Sequence, residues 1–487
     1  LPSPEARPFP APAVRVSRRR FLQQGSAAAA GLALTVRART AEGSGSAVLP
    51  ANERIGVGVI GLGAMGRGHL RRLAGDPGVQ VVAVCDVDRE RREQGRHTVA
   101  EMYAAAGRPA ACTACNDFRE VLARPDVDAV VIATPDHWHA FQAVEAARAG
   151  KDIYCEKPIS VTIEEGRRVV EAVRRYGRVF QTGTQYRSMP AIRRAVQFVR
   201  AGGLGRVKHV FTQLHTLAGW LNSPRCQPYR AVLNPEATGR CYTPLDFALP
   251  AEPVPEGLDW ELWVGPAPWR PYNRLYHENP SPGVVPWAFS AAFGVTSNTW
   301  FLSHAADVIQ YALGVEESGP VEIVHPGSGR FPTLTMRYAS GTLLHFIQDW
   351  PQVKSLYPGL LPEGARVAGM FGGVFVGERG WLSALYQNGP AVTGGPEGLL
   401  REMDETTRDV SLGARDHHAN WLQCLRTRGT PSCPEELGHR TATLGHLTNL
   451  AYWTSRSLRW DPSTETFADC DAANRLRARL PRPPWRL

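Results

Sequence analysis

Three absences narrow the reading of this sequence. It offers no apolar run fit to cross a bilayer: the N-terminal stretch SRRRFLQQGSAAAAGLALTV is too short and too weakly hydrophobic. It also lacks a dense basic patch interleaved with aromatics, which speaks against nucleic acid. The net charge is +9, but residues 1–45 hold seven arginines and two acids, contribute +5, and leave +4 for the rest. Finally, Cys112-x-x-Cys115 has no second Cys-x-x-Cys, so the spacing of a zinc site is incomplete. The nine cysteines are scattered. Cys226 with Cys241, and Cys424 with Cys433, are candidate disulfides if the chain is exported. For Cys85, Cys155 and Cys424 the buried free thiol is the favoured reading.

What is present points to a globular chain of more than one core. A length of 487 residues predicts two domains, and 43% hydrophobic with 21% charged residues is a globular composition. Residues 1–45 read as an address rather than a fold. Consecutive arginines, then Phe-Leu, then a mildly apolar run match a twin-arginine export signal behind a Pro-rich extension. The expected location is the periplasm, with the twin-arginine export machinery as a partner.

From residue 53 the pattern is strand, helix, strand, helix to about residue 178. RIGVGVIGLGAMGRGHLRRL opens with a β-branched strand over 54–60. It turns at Gly61-Leu62-Gly63-Ala64-Met65-Gly66 and enters a helix, the context in which G-x-G-x-x-G binds a dinucleotide. Gly61 allows the tight turn, Gly63 lets the backbone approach a pyrophosphate, and Gly66 lets helix and strand pack closely. The helix N-terminus offers free N–H groups to the phosphates. The next strand ends at Asp86, twenty residues on, where an acid takes the ribose hydroxyls of NAD and repels the 2′-phosphate of NADP. A further strand, DAVVIAT, reaches Thr134-Pro135-Asp136-His137-Trp138-His139 at the ligand-binding edge of such a sheet. His137 and His139 have the spacing of a metal pair, but no third ligand lies nearby, so no metal is expected. Cofactor or substrate contacts are favoured for both.

Glu156-Lys157-Pro158 at a strand end, after that glycine fingerprint and the TPDHWH loop, resembles the Gfo/Idh/MocA oxidoreductase family. Supporting stretches are CDVDRERR, GRVFQTGTQYRS, PVPEGLDWELWVGPAPWRPYN, GHRTATLGHLTNLA and LRWDPSTETF. The likeness covers about residues 53–487 and is strongest to exported bacterial members with twin-arginine signals. It implies an α/β fold: an NAD-binding Rossmann domain over 53–178, then a substrate-binding and oligomerisation domain over 179–487. The second domain would carry a large, mostly antiparallel open sheet serving homodimer or homotetramer contacts. GRVKHVFTQLHT and TLTMRYASGTLLHFIQDW alternate like strands, with a hairpin signal at Ala339-Ser340-Gly341. ARDHHANWLQCLRTRGTP and ELGHRTATLGHLTNLAYWTSRSL read as amphipathic helices.

The resemblance also implies hydride transfer between NAD and a sugar, sugar derivative or cyclitol. Lys157 would sit beside the reacting hydroxyl, where a strand-end lysine removed from water can act as a base. Glu156 stands next to it, and Pro158 suggests a cis peptide. Arg187 and Gln185, just past the return strand, become candidates for substrate oxygens or the nicotinamide carboxamide.

One departure stands out. SNTWFLSHAADVIQYALG reads as a helix from Ser303. Aligned on the family's substrate helix, it puts His304 on the usual histidine and Asp307 on a later acid, but Trp300 where an acid is expected. An indole cannot accept a proton. Three readings follow. His304 is the base beside Lys157; or an acid enters from elsewhere, with Asp246, Asp259 and Glu278 as candidates; or the protein binds sugar around a structural NAD. His304 and Asp307 also have metal-pair spacing, against which the resemblance argues. Trp220, Trp260, Trp263, Trp269, Tyr272 and Trp287 are candidates for stacking on sugar, though Trp260 and Trp263 read better as packing residues. Free NAD is scarce outside the cytoplasm, so a tightly retained cofactor is expected. Glycoside cleavage through transient sugar oxidation is the alternative reaction.

Overall fold

A computed structural model describes residues 53–109, 111–214, 248–278, 286–386, 390–409 and 416–487. The expected export signal, Trp220, Asp246, Cys226 and Cys241 lie outside these residues. The first sheet contains β1 (Ile55–Ile60), β2 (Val79–Cys85), β3 (Thr113–Cys115), β4 (Ala129–Ile132), β5 (Asp152–Cys155) and β6 (Phe180–Thr182). Its order is β3-β2-β1-β4-β5-β6, and every pairing is parallel. All six residues of β1 are buried, as a central strand covered on both faces requires. Helices α1 (Ala64–Ala74), α2 (Arg89–Ala105), α3 (Phe118–Ala123), α4 (Asp136–Arg148) and α5 (Ile163–Tyr176) make the crossovers. The strand order reverses between β1 and β4, so the glycine turn and the TPDHWH loop flank one crevice. β3 was absent from the sequence reading, because three residues give no periodicity.

Helix α6 (Pro190–Arg200) leads into the second sheet. That sheet holds β7 (Val207–Gln213), β8 (Pro320–Val324), β9 (Thr335–Tyr338), β10 (Leu343–Ile347), β11 (Met370–Gly377), β12 (Trp381–Tyr386), β13 (Pro390–Ala391), β14 (Gly394–Gly395), β15 (Leu458–Asp461) and β16 (Thr466–Phe467). Pairing is antiparallel except between β7 and β10. The expected hairpin joins β9 to β10, with Gly341 at φ +88°.

Two faces follow from the two-residue period of the strands. Val210, Phe346, Phe375 and Leu382 point into the main core. Phe211, Ile347, Val374 and Trp381 point to the other side. The main core is completed by α7 (Thr296–Leu313) and α9 (Glu435–Thr454). On the other face, Val353 and Tyr357 pack against the sheet.

Helix α8 (His417–Thr427) returns to the first domain, where Trp421, Leu422 and Leu425 join its core. The joint between the sheets is also ionic. Arg167 on α5 binds Glu436 on α9 through two hydrogen bonds (2.8 and 2.9 Å) and Glu465 through two more (3.0 and 2.8 Å). Cys424 and Cys433 are both free thiols, the reading favoured for Cys424, so the candidate disulfide between them is not formed. Cys433 is instead fully buried beside Asp307.

Candidate active site

A cavity of about 540 Å³ runs from the glycine turn to helix α7. Gly61, Gly63, Ala64 and Met65 line one end, with Asp86 beside them. Glu156, Lys157, Trp300 and His304 line the other. The glycine turn is shaped by two close approaches. At Gly61 (φ +87°) an added Cβ would lie 2.6 Å from the Ala133 backbone. At Gly66 it would lie 1.8 Å from the Gly61 carbonyl oxygen. Gly63 is different: a Cβ there would meet nothing within 4 Å, so no protein atom explains the absent side chain. Gly63 also caps α1 without a side-chain hydrogen bond, leaving the first amides of that helix to a ligand. A pyrophosphate fits this cradle. Asp86 accepts from the Leu62 amide (2.7 Å) and the Asp88 amide (3.0 Å) while still lining the cavity. It therefore fixes the turn as well as facing the ribose position.

Residues placed near this end by sequence divide into two groups. Thr134, Pro135 and His139 line the cavity. Leu62 and Gly66 do not line it but build its wall, Leu62 from the hydrophobic core. His137 is wholly buried between the Phe293 and Trp263 carbonyl oxygens (3.2 and 3.0 Å) and faces a neighbouring aromatic cluster, not the cavity. His139 is likewise held between the Pro158 and Thr134 carbonyl oxygens (2.7 and 2.8 Å). Among the described residues, no group of three or more His, Cys, Asp or Glu side chains could hold a metal.

At the far end, the Lys157–Pro158 peptide is cis. Lys157 Nζ donates to the Trp300 carbonyl oxygen (3.1 Å) and lies 3.9 Å from the Trp300 ring centroid. Burial pushes the Lys157 amine below its usual range, against the pull of Glu156 and Asp136. Glu156 accepts from His69 Nε2 (2.9 Å) and Gln185 Nε2 (3.1 Å). Burial works against its charge, yet the His69 hydrogen bond and the Lys157 charge hold it down to about 2. His69 Nδ1 lies 2.8 Å from His418 Nε2 on α8. Gln185 also donates to the Tyr154 hydroxyl (2.9 Å) and lines the cavity.

Helix α7 begins at Thr296 rather than Ser303, so His304 sits in mid-helix. Its ring stacks on Tyr186 at 4.1 Å, and its Nδ1 has no partner. Burial, reinforced by the Lys157 charge, pushes this imidazole down to about 3. It is therefore neutral near pH 7, and a weaker base than the ordinary histidine expected from sequence.

Arg187 and Asp307 do not reach the cavity. They form a bidentate pair at 2.7 and 2.6 Å, nearly sealed from solvent, and Arg187 also binds Glu316 at 3.0 Å. Sequence offered Arg187 to substrate oxygens and aligned Asp307 with a later acid of the family's substrate helix, but the structure spends their polar groups on one another. Of the loop acids, Asp259 caps a short helix and accepts from Asn116, and Glu278 is exposed outside the cavity. Trp260 and Trp263 stack on each other in an aromatic core against which Trp287 packs, and both Trp263 and Trp287 line the cavity.

The acid that does enter is Asp136, which sequence reasoning passed over. It is 1% exposed, lines the cavity, and neither carboxylate oxygen has a hydrogen-bond partner. The only signal in sequence was its place inside TPDHWH.

Two family models match this chain. "Oxidoreductase family, NAD-binding Rossmann fold" matches residues 55–184, and "Oxidoreductase family, C-terminal alpha/beta domain" matches 243–343 and 403–487. The chain belongs to the Gfo/Idh/MocA oxidoreductase family, and its first domain is that family's NAD-binding Rossmann fold. It is 35% identical over 156 residues to levoglucosan dehydrogenase of Pseudarthrobacter phenanthrenivorans, covering 32% of this chain and 39% of the relative. It is 32% identical over 174 residues to a glycosyl hydrolase family 109 protein of Shewanella baltica, covering 33% and 37%. These matches thus span about two fifths of the curated relatives. The WlbA dehydrogenase of Bordetella pertussis, solved with NADH and UDP-GlcNAcA, shares the fold with a TM-score of 0.52 at 17% identity, over 84% of this chain and 98% of that one.

Proposed function

We propose that this protein is an NAD-dependent oxidoreductase acting on a CH–OH group of a sugar, sugar derivative or cyclitol. The observation that carries this reading is the single cavity joining the glycine turn and Asp86 to Lys157 and His304. Gly61, Gly63, Ala64, Met65, Asp86, Thr134, Pro135 and His139 would hold the dinucleotide, and NAD would supply the hydride acceptor. Asp86 favours NAD over NADP. Lys157, poised by burial to release its proton, receives the proton of the carbinol hydroxyl. Neutral His304 offers that hydroxyl a hydrogen bond. Gln185 and Trp300 border the sugar, the indole against its apolar face.

The export signature supports a periplasmic enzyme that leaves the cytoplasm folded, with NAD already bound and retained. Purified native protein should carry nicotinamide, identifiable by mass spectrometry, and a panel of sugars and cyclitols should change the absorbance of that bound cofactor. Protein without nicotinamide would overturn retention. Ligands that bind without changing the cofactor would overturn the oxidoreductase reading. The family 109 relative supports a second reading, glycoside cleavage with hydride removed and then returned. It would appear as sugar release without net cofactor reduction.

A further inference from the structure

Asp136 is a buried polar group lining the cavity that the reaction above leaves unexplained. It is the first residue of α4, where an acid often caps the helix. Here the N-cap is Pro135, no side chain caps the helix, and both Asp136 oxygens lack partners. A carboxyl group that is 1% exposed and has no well-formed hydrogen bond costs stability unless it is protonated or balanced by a charge. It opens instead onto the cavity lined by Lys157. Lys157 carries the complementary problem: an amine out of water, held only by a carbonyl oxygen and an indole face.

His139, one turn beyond Asp136 on α4, bonds the carbonyl oxygen of Pro158 next to Lys157, so the helix start and the lysine meet at one part of the cavity. We propose that Asp136 and Lys157 act across the cavity as one electrostatic pair with a single proton between the two groups, Asp136 being the positioning acid through which Lys157 becomes the base for the carbinol. This rests on the oxidoreductase reading. With one proton on the pair, the neutral-acid arrangement leaves the Lys157 lone pair free. During oxidation, hydride leaves carbon for nicotinamide, and the hydroxyl proton forms the fourth bond to Lys157 nitrogen. The pair then holds two protons and returns one to solvent. In reduction the same two-proton pair is the acid. An acid on α4 thereby takes the electrostatic part that Trp300 on α7 cannot.

Burial raises Asp136 and lowers Lys157 towards each other, the condition for a shared proton. The charged groups facing the pair are few. Glu156 favours protonation of both members. The Val295 amide and Arg479 from the C-terminal segment favour the Asp136 anion, and neutral His139 and His304 lie beside Lys157.

The test is difference infrared spectroscopy of the purified holoprotein against Asp136→Asn. A protonated-carboxyl band should be present near neutral pH in the parent and absent from the variant. In Lys157→Ala the band should persist to higher pH, because a lysine charge that favours the Asp136 anion is gone. No such band, or a band whose titration ignores Lys157→Ala, overturns the proposal. This readout needs no substrate, so its failure is distinguishable from failure of the sugar reaction. Once a substrate is known, Asp136→Asn should lower kcat by roughly 10²-fold or more, on the scale of acid–base catalysis. It should also simplify the pH profile from two ionisations to one with nicotinamide content unchanged; an unaltered profile overturns the proposal too.

Discussion

Lys157 Nζ lies 3.9 Å from the centroid of the Trp300 ring and 3.1 Å from the carbonyl oxygen of the same residue. One residue on α7 thus holds the amine by its face and its backbone. The ring attracts the ammonium without fixing a proton, whereas an aspartate there would stabilise the ammonium outright. Trp300→Asp should therefore move the acid limb of kcat/KM to higher pH, because Lys157 would hold its proton longer. Activity with freely added NAD would show that ordinary dehydrogenase chemistry returns with the acid. A pH–rate profile in the presence of added NAD checks both.

Removing Lys157 separates chemistry from cofactor binding. Its side chain lies at the far end of the cavity from the glycine turn. Lys157→Ala should abolish turnover, by about 10²-fold or more, and leave bound nicotinamide unchanged. Full activity in this variant would remove Lys157 from the reaction.

His304 gives a prediction of shape rather than size. Burial and Lys157 push it down to about 3, so it does not titrate across the neutral range. His304→Asn should lower the rate by removing a hydrogen-bonding ring, yet leave no missing ionisation between about pH 5 and 8. A lost ionisation in that window would restore His304 as the base.

Legibility followed the range of the interactions. The placement of the glycine turn, Asp86 and Lys157 along one cavity was readable because each is set by residues close in sequence: a strand, a turn, a helix start. Arg187 and Asp307 were misread because their partnership joins residues 120 positions apart. Either side chain alone looks like a free polar group at a site. Asp136 failed for the opposite reason. Its sequence context offers an ordinary role at a helix start, and only the missing hydrogen bonds show that it is not performing it. The head of α7 was hidden because Thr296, Ser297 and Asn298 resemble a cap and a loop more than a first turn.

The Arg187–Asp307 pair yields a stability prediction that also separates the two assignments. Asp307 is fully buried and its partner nearly so. Asp307→Ala should destabilise the fold by about 3 kcal/mol, because a buried guanidinium loses its bidentate partner and keeps the weaker hold of Glu316. Urea unfolding measures that loss. A substrate-binding role would instead raise KM with stability intact.

The ionic joint between the sheets predicts where acid acts first. Burial opposes the Glu436 charge, but Arg167 and Arg440 hold its carboxyl down to about 2, and Glu465 is lowered too. A depressed carboxylate contributes stability that is complete above its unfolded value and is lost as pH falls through the folded one. For Glu436 the window runs from its ordinary 4.5 down to about 2. Thermal melts at about pH 6, 4 and 3 should show stability falling through that window. In Arg167→Met the two carboxylates lose a shared partner, so stability should be lower at pH 6 and the further loss on acidification smaller. Parallel curves for parent and variant would place the acid sensitivity elsewhere in the fold.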